Sequence, residues 1–292
     1  MPSSERNPLP EPLAVELAVG GPVVVAGPER LSICRGGEAR LAALQLVGGR
    51  PVDSASVRQL LAGSLMAACP GGGRPAAETR QPDSTGYIFD LCVSYWTTQA
   101  TPVTLRAAAE RFRALGDRAA TDLAERKAVE ERGHDLLARR DLEAMGLLVD
   151  DLHRAIRPGV ALDLVDYFHA LATQERPYGV FGYLYVLERL AMMRDAAEVA
   201  AVQALAPEGH DITRCRRVHS AVGVDADHVA DLVDFAAGLE PESLSLVCQA
   251  AFATASLIGR YANDAEGKGR LERYLESSAW IPFQPARPEC AA

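Results

Sequence analysis

The sequence lacks several features that mark particular classes of protein. Its six cysteines show no C-x-x-C spacing, which suits buried thiols in a reducing compartment better than disulfides or a zinc site. A formal net charge of -9 provides no basic surface for nucleic acid, and no helix is rich in Lys and Arg as membrane-surface helices are. Residues 1–12 lack the apolar stretch of a signal peptide, and no segment is expected to reach the length of a membrane span. We therefore expect a cytoplasmic protein with neither nucleic-acid nor membrane partners.

The composition is that of a folded protein with one large core or two smaller ones. Of the 292 residues, 48% are hydrophobic and 24% are charged. A stretch rich in glycine and proline, residues 69–86, has no helical or strand periodicity and is predicted to contain a linker. We divide the chain into a small α+β domain at residues 1–75, a linker at 76–86 and a helical domain at 87–292.

The N-terminal domain is predicted to contain two strands followed by two helices. β-Branched residues dominate the strand segments, 23–25 and 31–34, and helical periodicity follows over 38–47 and 54–68. Asp53 or Ser54 is expected to cap the second helix. Beyond the linker the sequence predicts helices almost throughout, over residues 86–96, 104–145, 162–175, 178–206, 214–239 and 242–275.

Two polar residues interrupt the apolar stripe of the second long predicted helix. The stripe includes Ala124, Ala128 and Ala138, at spacings of three and four residues that define one buried face. Glu131 and His134 fall on the same stripe. Because they lie three residues apart, their side chains should stand about one turn apart, the arrangement by which helical bundles hold iron. The charged residues around them leave a solvated face as the alternative.

A second carboxylate lies in the most apolar predicted helix. Residues 178–193 are apolar nearly all round, as in a central bundle helix, yet Glu188 lies in the middle. Burying an unpaired carboxylate is costly, so Glu188 needs a positive partner. A metal ion would serve, and so would an Arg from another helix.

A third polar pair, Asp225 and His228, lies on a stripe with Leu232 and Phe235. A lone His on an apolar face is often a hydrogen-bonded core residue, but here it accompanies carboxylates and a second His on other helices. Carboxylate and imidazole ligands suit redox iron or manganese. The sequence therefore predicts that these side chains converge on one or two metal ions: Glu131, His134, Glu188, Asp225 and His228.

The segments that carry these residues resemble the heme-oxygenase-like diiron oxidases, the iron-containing redox enzymes. The similar segments are residues 131–146, 187–188 and 219–232, within a similarity that covers about 86–275. The resemblance implies an all-α fold, a heme-oxygenase-like up-and-down bundle of seven helices. It also implies a non-heme diiron oxidoreductase that binds one or two Fe(II) ions, the second one labile, and uses O2 as a cosubstrate. His219 becomes a further metal ligand by this resemblance, and Glu188 becomes the catalytic carboxylate that bridges two ions.

Two features depart from that family's pattern. His219 and Asp225 lie six residues apart instead of four, which in a regular helix points them in directions about 120° apart. Either the helix bulges near Gly223 or His219 is not a ligand. The family also often supplies a carboxylate where this chain has Thr97 and Thr98, and Glu110 is the nearest later carboxylate.

The N-terminal domain resembles the winged-helix, PqqD-like domains that bind precursor peptides, with residues 48–53 as the similar part. This resemblance implies a peptide substrate. Otherwise the enzyme would oxidise an amino-acid-derived or other small molecule, in natural-product biosynthesis. The alternative is that the N-terminal domain is a structural domain or a dimerisation arm. In the second case the protein would be a homodimer.

Three other functions fit the same sequence. One is a non-catalytic peptide-binding or scaffold bundle, whose buried polar residues only hydrogen-bond to one another, and another is a metal-free, thiaminase-like or cofactorless relative. A ferritin-like carboxylate-bridged protein would use the Glu131/His134 and Asp225/His228 pairs. His219 favours the heme-oxygenase-like alternative.

Overall fold

The computed structural model describes most of the chain as a helical bundle with a small sheet at its N-terminal end. The described residues are 12–35, 52–68, 82–206, 208–220, 225–261, 264–278 and 280, and the side chains of 225–227 are not included. The predicted helix over 38–47 lies outside the described residues.

Three short strands form an antiparallel sheet in the order β1-β2-β3: β1 (Leu13–Glu16), β2 (Val23–Gly27) and β3 (Arg30–Cys34). The two predicted strands are β2 and β3. β1 was not predicted, because four residues are too short for a periodicity to show. Helix α1 (Ser54–Ala68) follows, and Asp53 caps it by accepting a 2.8 Å hydrogen bond from the backbone N–H of Ser56.

Eleven further helices are present in the described part of the chain. In order they are α2 (Ser84–Leu115), α3 (Arg118–Glu130), α4 (His134–Ala144), α5 (Val149–Ala155), α6 (Gly159–Ala172), α7 (Gly179–Ala191), α8 (Ala196–Gln203), α9 (Arg214–Val218), α10 (Asp225–Ala237), α11 (Pro241–Arg260) and α12 (Ala265–Ser277). The mostly helical bundle that the sequence predicts is confirmed.

The lengths of several helices differ from the prediction. α2 is continuous through Pro102, so it joins two segments that the sequence separated. The segment predicted as one helix over 104–145 is instead divided twice. Gly116, with φ 75°, ends α2, and Gly133, with φ 87°, lies between α3 and α4. Glycine adopts this left-handed conformation at little cost, so each glycine allows the chain to turn where periodicity alone predicted a continuous helix.

The N-terminal sheet and the bundle share one hydrophobic core. Val24 and Ala26 of β2 and Leu60 of α1 belong to the same buried cluster as Phe181 of α7 and Val247 of α11. A second cluster lies where the first turns of α2 meet α4, α5, α9 and α12. The apolar face of α1 is therefore buried by the bundle as well as by the sheet.

Close packing of α7 on α11 fixes the position of the helix that carries Glu188. A Cβ added at Gly182 would lie 2.0 Å from the backbone oxygen of Val247. Any larger residue would push the helices apart, so glycine is required for this approach.

One helix, α11, is long and apolar enough to cross a membrane by length and composition, with a mean hydropathy of 1.2. The expectation that no segment reaches this length is therefore wrong. The apolar residues of α11 pack inside the bundle: Val247, Cys248 and Ala251 are buried against α1 and α7.

The division of the chain near residues 76–86 stays a prediction, and limited proteolysis tests it. The composition predicts the first cut between residues 71 and 86. Because α1 and the sheet share a core with the bundle, the two fragments should remain together in native gel filtration and separate in urea. First cleavage inside the helices would contradict the division, and fragments that separate without denaturant would contradict the shared core.

Candidate metal centre

Glu131 and His134 meet across a turn between two helices. Glu131 is the first residue after α3, Gly133 has a left-handed backbone, and His134 begins α4. The prediction that both stand on one face of one helix is wrong, because the helix ends at Glu130. The turn nevertheless brings Nδ1 of His134 to 3.0 Å from Oε2 of Glu131.

His219 joins them through a second interruption of a predicted helix. The segment expected to be one helix over 214–239 is divided into α9, which ends at Val218, and α10, which begins at Asp225. His219 directly follows α9, so the six-residue spacing to Asp225 is not a helical spacing. The rings of His134 and His219 meet edge to face with their centroids 4.7 Å apart.

Asp141 explains why these two histidines meet. Its side chain is fully buried on α4, two turns beyond His134. Its carboxylate accepts hydrogen bonds from the backbone N–H groups of Arg214 (3.2 Å) and Cys215 (2.8 Å), which are the first two residues of α9. The Arg214 guanidinium lies 3.2 Å from the same carboxylate. Asp141 therefore holds α9 against α4, and the other end of α9 presents His219 to His134.

Glu131, His134 and His219 form a group that can bind a metal. Each offers one ligand atom, and the three atoms lie within 4.8 Å of one another. Two imidazoles and one carboxylate are the ligand set of the non-heme Fe(II) oxygenases, which leaves coordination positions open for other ligands. These residue types therefore fit an Fe(II) ion.

Glu131 is also in the charge state that a metal ligand needs. Burial alone would raise its pKa, but the hydrogen bond with His134 and the charges of His134, His219 and Lys127 outweigh burial, so the pKa lies below its usual range. A metal-binding carboxyl must be deprotonated, and Glu131 is held in that form.

A second cluster lies around Glu188, which is 6% exposed. Nδ1 of His228 lies 3.6 Å from Glu188, and Nε2 of the same ring lies 3.5 Å from Glu130. The ammonium of Lys127 lies 2.9 Å from Glu130 and 3.7 Å from Glu188. Glu188 thus pairs with His228 and a buried cation and is not a member of the Glu131 group described above.

Lys127 was not identified by the sequence analysis. It is completely buried and lies one turn before Glu131, on the apolar stripe that contains Ala124 and Ala128. A lysine on an otherwise apolar stripe is the sequence feature that could have identified it as a buried cation. Only two of the chain's 30 Lys and Arg residues are lysines, Lys127 and Lys268. The cation expected to pair with Glu188, an Arg or a metal ion, is in this structure a lysine.

The remaining predicted residues have different positions. Asp225 begins α10, and its side chain lies outside the described part. Thr97 and Thr98 face a cavity, and each hydroxyl donates to a backbone carbonyl of its own helix. Glu110 is exposed on α2 and does not reach the site. That all six predicted residues bind metal stays a prediction.

A cavity of about 990 Å³ opens beside both clusters. Glu131, Glu188 and His219 line it, together with mainly apolar side chains from α2, α6, α7 and α11. Tyr183 is fully buried near Glu131, and burial, with the charge of Glu131, raises its pKa. It therefore stays a neutral phenol, and its hydroxyl has no hydrogen-bond partner among the described residues.

Comparison with solved structures assigns this arrangement of helices. The chain is similar to the crystal structure of a domain of unknown function with a heme oxygenase-like fold from Shewanella denitrificans OS217. The TM-score is 0.62 and the identity 17%, over 80% of this chain and 99% of that chain. The fold is heme oxygenase-like. No protein-family profile and no curated protein matches the sequence.

Replacing Asp141 tests how the heme oxygenase-like bundle positions the site. Asp141→Ala leaves the buried N-terminal turn of α9 without its acceptor, so we expect an unfolding free energy lower by about 2 kcal/mol. His219 would no longer be held against His134, and Co(II) affinity, measured by titration as an oxygen-stable substitute for Fe(II), should fall roughly tenfold or more.

Asp150→Ala is the matched control, because Asp150 makes only an ion pair at the surface. Asp141→Asn, which keeps one acceptor oxygen, should fall between the two. Wild-type Co(II) affinity in Asp141→Ala would contradict the positioning role.

Replacing Lys127 tests whether the buried carboxylates depend on it. Lys127→Met leaves Glu188 and Glu130 without their buried cation, so the metal-free protein should be less stable by about 3 kcal/mol in urea unfolding. Co(II) should then raise the Tm more in this variant than in the wild type, because a bound ion would supply the missing positive charge. Lys268→Met is the control and should match the wild type. Equal stability and an equal Co(II) effect in Lys127→Met would show that the ammonium is not needed.

Proposed function

We propose that this protein is a non-heme iron oxidoreductase that uses O2 to oxidise a small organic substrate bound in the cavity. The observation that carries the proposal is the Glu131, His134 and His219 group at the wall of a largely apolar cavity. A protein scaffold needs neither a two-histidine, one-carboxylate set nor an adjoining space of this size. The two together favour an enzyme over a scaffold.

The three residues would hold one Fe(II) ion. When bound, the ion would supply electrons to O2. Glu131 is held as a carboxylate by its hydrogen bond with His134 and by the nearby charged groups, which outweigh the effect of burial. The edge-to-face contact of the two rings limits how far either histidine can turn. Pre-organised ligands of this kind lower the cost of binding the ion.

Glu188 and His228 are candidates for a second, more weakly held ion. Lys127 is the reason for the weak binding in this proposal, because its ammonium lies 3.7 Å from Glu188 and a divalent ion there would meet a like charge. One firmly bound iron and one labile iron, with Glu188 as the catalytic carboxylate beside them, is the arrangement we favour.

The apolar walls serve the reaction by keeping water away from the oxidising centre. Val93, Leu164, Leu184 and Leu187 line the cavity beside Thr97. A dry site strengthens electrostatic interactions and suppresses side reactions of reactive intermediates. The substrate is proposed to be amino-acid-derived, a peptide side chain or another small molecule of a biosynthetic route.

Anaerobic loading with Fe(II) followed by exposure to O2 tests this function. The wild-type protein should bind iron and consume O2 on mixing, followed with an oxygen electrode. His219→Ala should lose both the iron and the oxygen uptake. Glu188→Gln, which keeps the shape of the side chain, should retain the firmly bound iron and lose most of the oxygen uptake.

His210→Ala is the matched control, because His210 is an exposed histidine that is not a member of the Glu131, His134 and His219 group. It should behave as the wild type. A wild-type protein that binds no iron would support the scaffold alternative. Full iron content in His219→Ala would show that the ligand group is wrong.

A further inference from the structure

The cavity has a buried end and an exposed end. Glu131 and Thr101 line it and are 7% and 4% exposed, whereas Asp90, Gly259 and Arg260 line it and are exposed to solvent. Along α2 the lining residues run from Phe89 to Thr101, about 18 Å at the rise of an α-helix. The cavity is therefore elongated along α2, with the candidate metal group at its inner end.

The outer part of the cavity is positively charged. Arg194, Arg260 and Lys268 line it, and within the described part of the chain no carboxylate oxygen lies within 4 Å of any of the three. Asp90 also lines the outer part, but its carboxylate lies 3.1 Å from the guanidinium of Arg216. Apart from Glu131 and Glu188, the charged side chains of the wall are these three cations and Asp90, a carboxylate that is already paired.

Arg194 is the cation best placed to bind a ligand. It is partly buried and lies six residues after Glu188, just beyond the end of α7. Desolvation, with Arg216 nearby, lowers its pKa, but a guanidinium keeps its charge in proteins. Asp90 and Glu198 offset part of the cost of desolvating this cation, but both carboxylates are paired with Arg216. An anion that binds Arg194 would remove the remaining cost.

We propose that the cavity binds a molecule with an apolar chain and one anionic end group, with that group paired to Arg194 and the chain directed inward toward Glu131 and His219. The inference deepens the proposed function, because it names the substrate class of the same site. The planar fork of a guanidinium matches a carboxylate or a phosphate through two parallel hydrogen bonds. The apolar walls would bury the chain, and the end next to the metal group would be the one oxidised.

Ligand binding without iron tests the inference separately from the oxidase function. The probes are decanoate, decyl phosphate, decylamine and decanol, titrated calorimetrically into the full-length protein after chelator treatment and again after Fe(II) loading under anaerobic conditions. One of the two anions should bind, and the one that binds more tightly identifies the end group. The amine and the alcohol should bind at least about tenfold more weakly.

Arg194→Gln should weaken binding of the preferred anion about tenfold or more in both preparations, while Arg194→Lys should retain part of it. Arg273→Gln is the matched control, because Arg273 is exposed on α12 and does not line the cavity. Unfolding curves of Arg194→Gln should show no loss of stability, since this side chain makes no ion pair with the described residues and its removal also removes a desolvated charge.

Five outcomes decide between these possibilities. Binding of an anion that depends on Arg194 supports the inference, even if the protein takes up no iron and the oxidase function fails. Equal binding of all four probes, or an unchanged affinity in Arg194→Gln, overturns it. Anion binding that appears only after Fe(II) loading and ignores Arg194 also overturns it, because the end group would then bind the metal. Absence of binding by either anion in both preparations overturns it while leaving the oxidase function open.

Discussion

Carboxylates buried inside an apolar bundle are the constraint on which the candidate site depends. Glu131 and Glu188 are 7% and 6% exposed, and Glu130 lies beside them. Burying a carboxylate without a positive partner costs several kcal/mol, so positive groups must lie close by. Lys127 and the three histidines at 134, 219 and 228 surround these acids. A metal ion could replace part of the positive charge around these acids, so the cluster suits metal binding. The same positive groups explain how the carboxylates can be buried.

Helices end at the places where the candidate ligands meet. In a continuous helix over 214–239, His219 would point about 120° away from Asp225. The end of α9 at Val218 frees His219 from that helix, and the turn at Gly133 brings His134 to 3.0 Å from Glu131. Asp141 then fixes the short helix α9 to α4 through hydrogen bonds to its first backbone N–H groups. The two histidines are therefore positioned by a buried carboxylate that is not itself a metal-ligand candidate.

Much of the fold could be predicted from the sequence, because the apolar stripes are long and regular. The same stripes drew attention to Glu131, His134, Glu188 and His228, since a polar residue among apolar neighbours stands out. Helix ends were predicted less well, because Gly116 and Gly133 interrupt stripes whose periodicity continues on both sides. The partner of Glu188 could not be assigned, since Lys127 lies on a different helix and only the tertiary packing brings the two together. Asp141 was missed because it acts mainly through the backbone N–H groups of Arg214 and Cys215, which leave no pattern in a sequence.

Anomalous X-ray diffraction at the iron edge, on crystals of the full-length protein loaded anaerobically with Fe(II), tests the central claim most directly. The account predicts a strong peak bonded to Glu131, His134 and His219. A weaker second peak would lie beside Glu188 and His228. A strong peak bonded to other residues, or no peak in crystals of protein that carries stoichiometric iron in solution, would contradict the account.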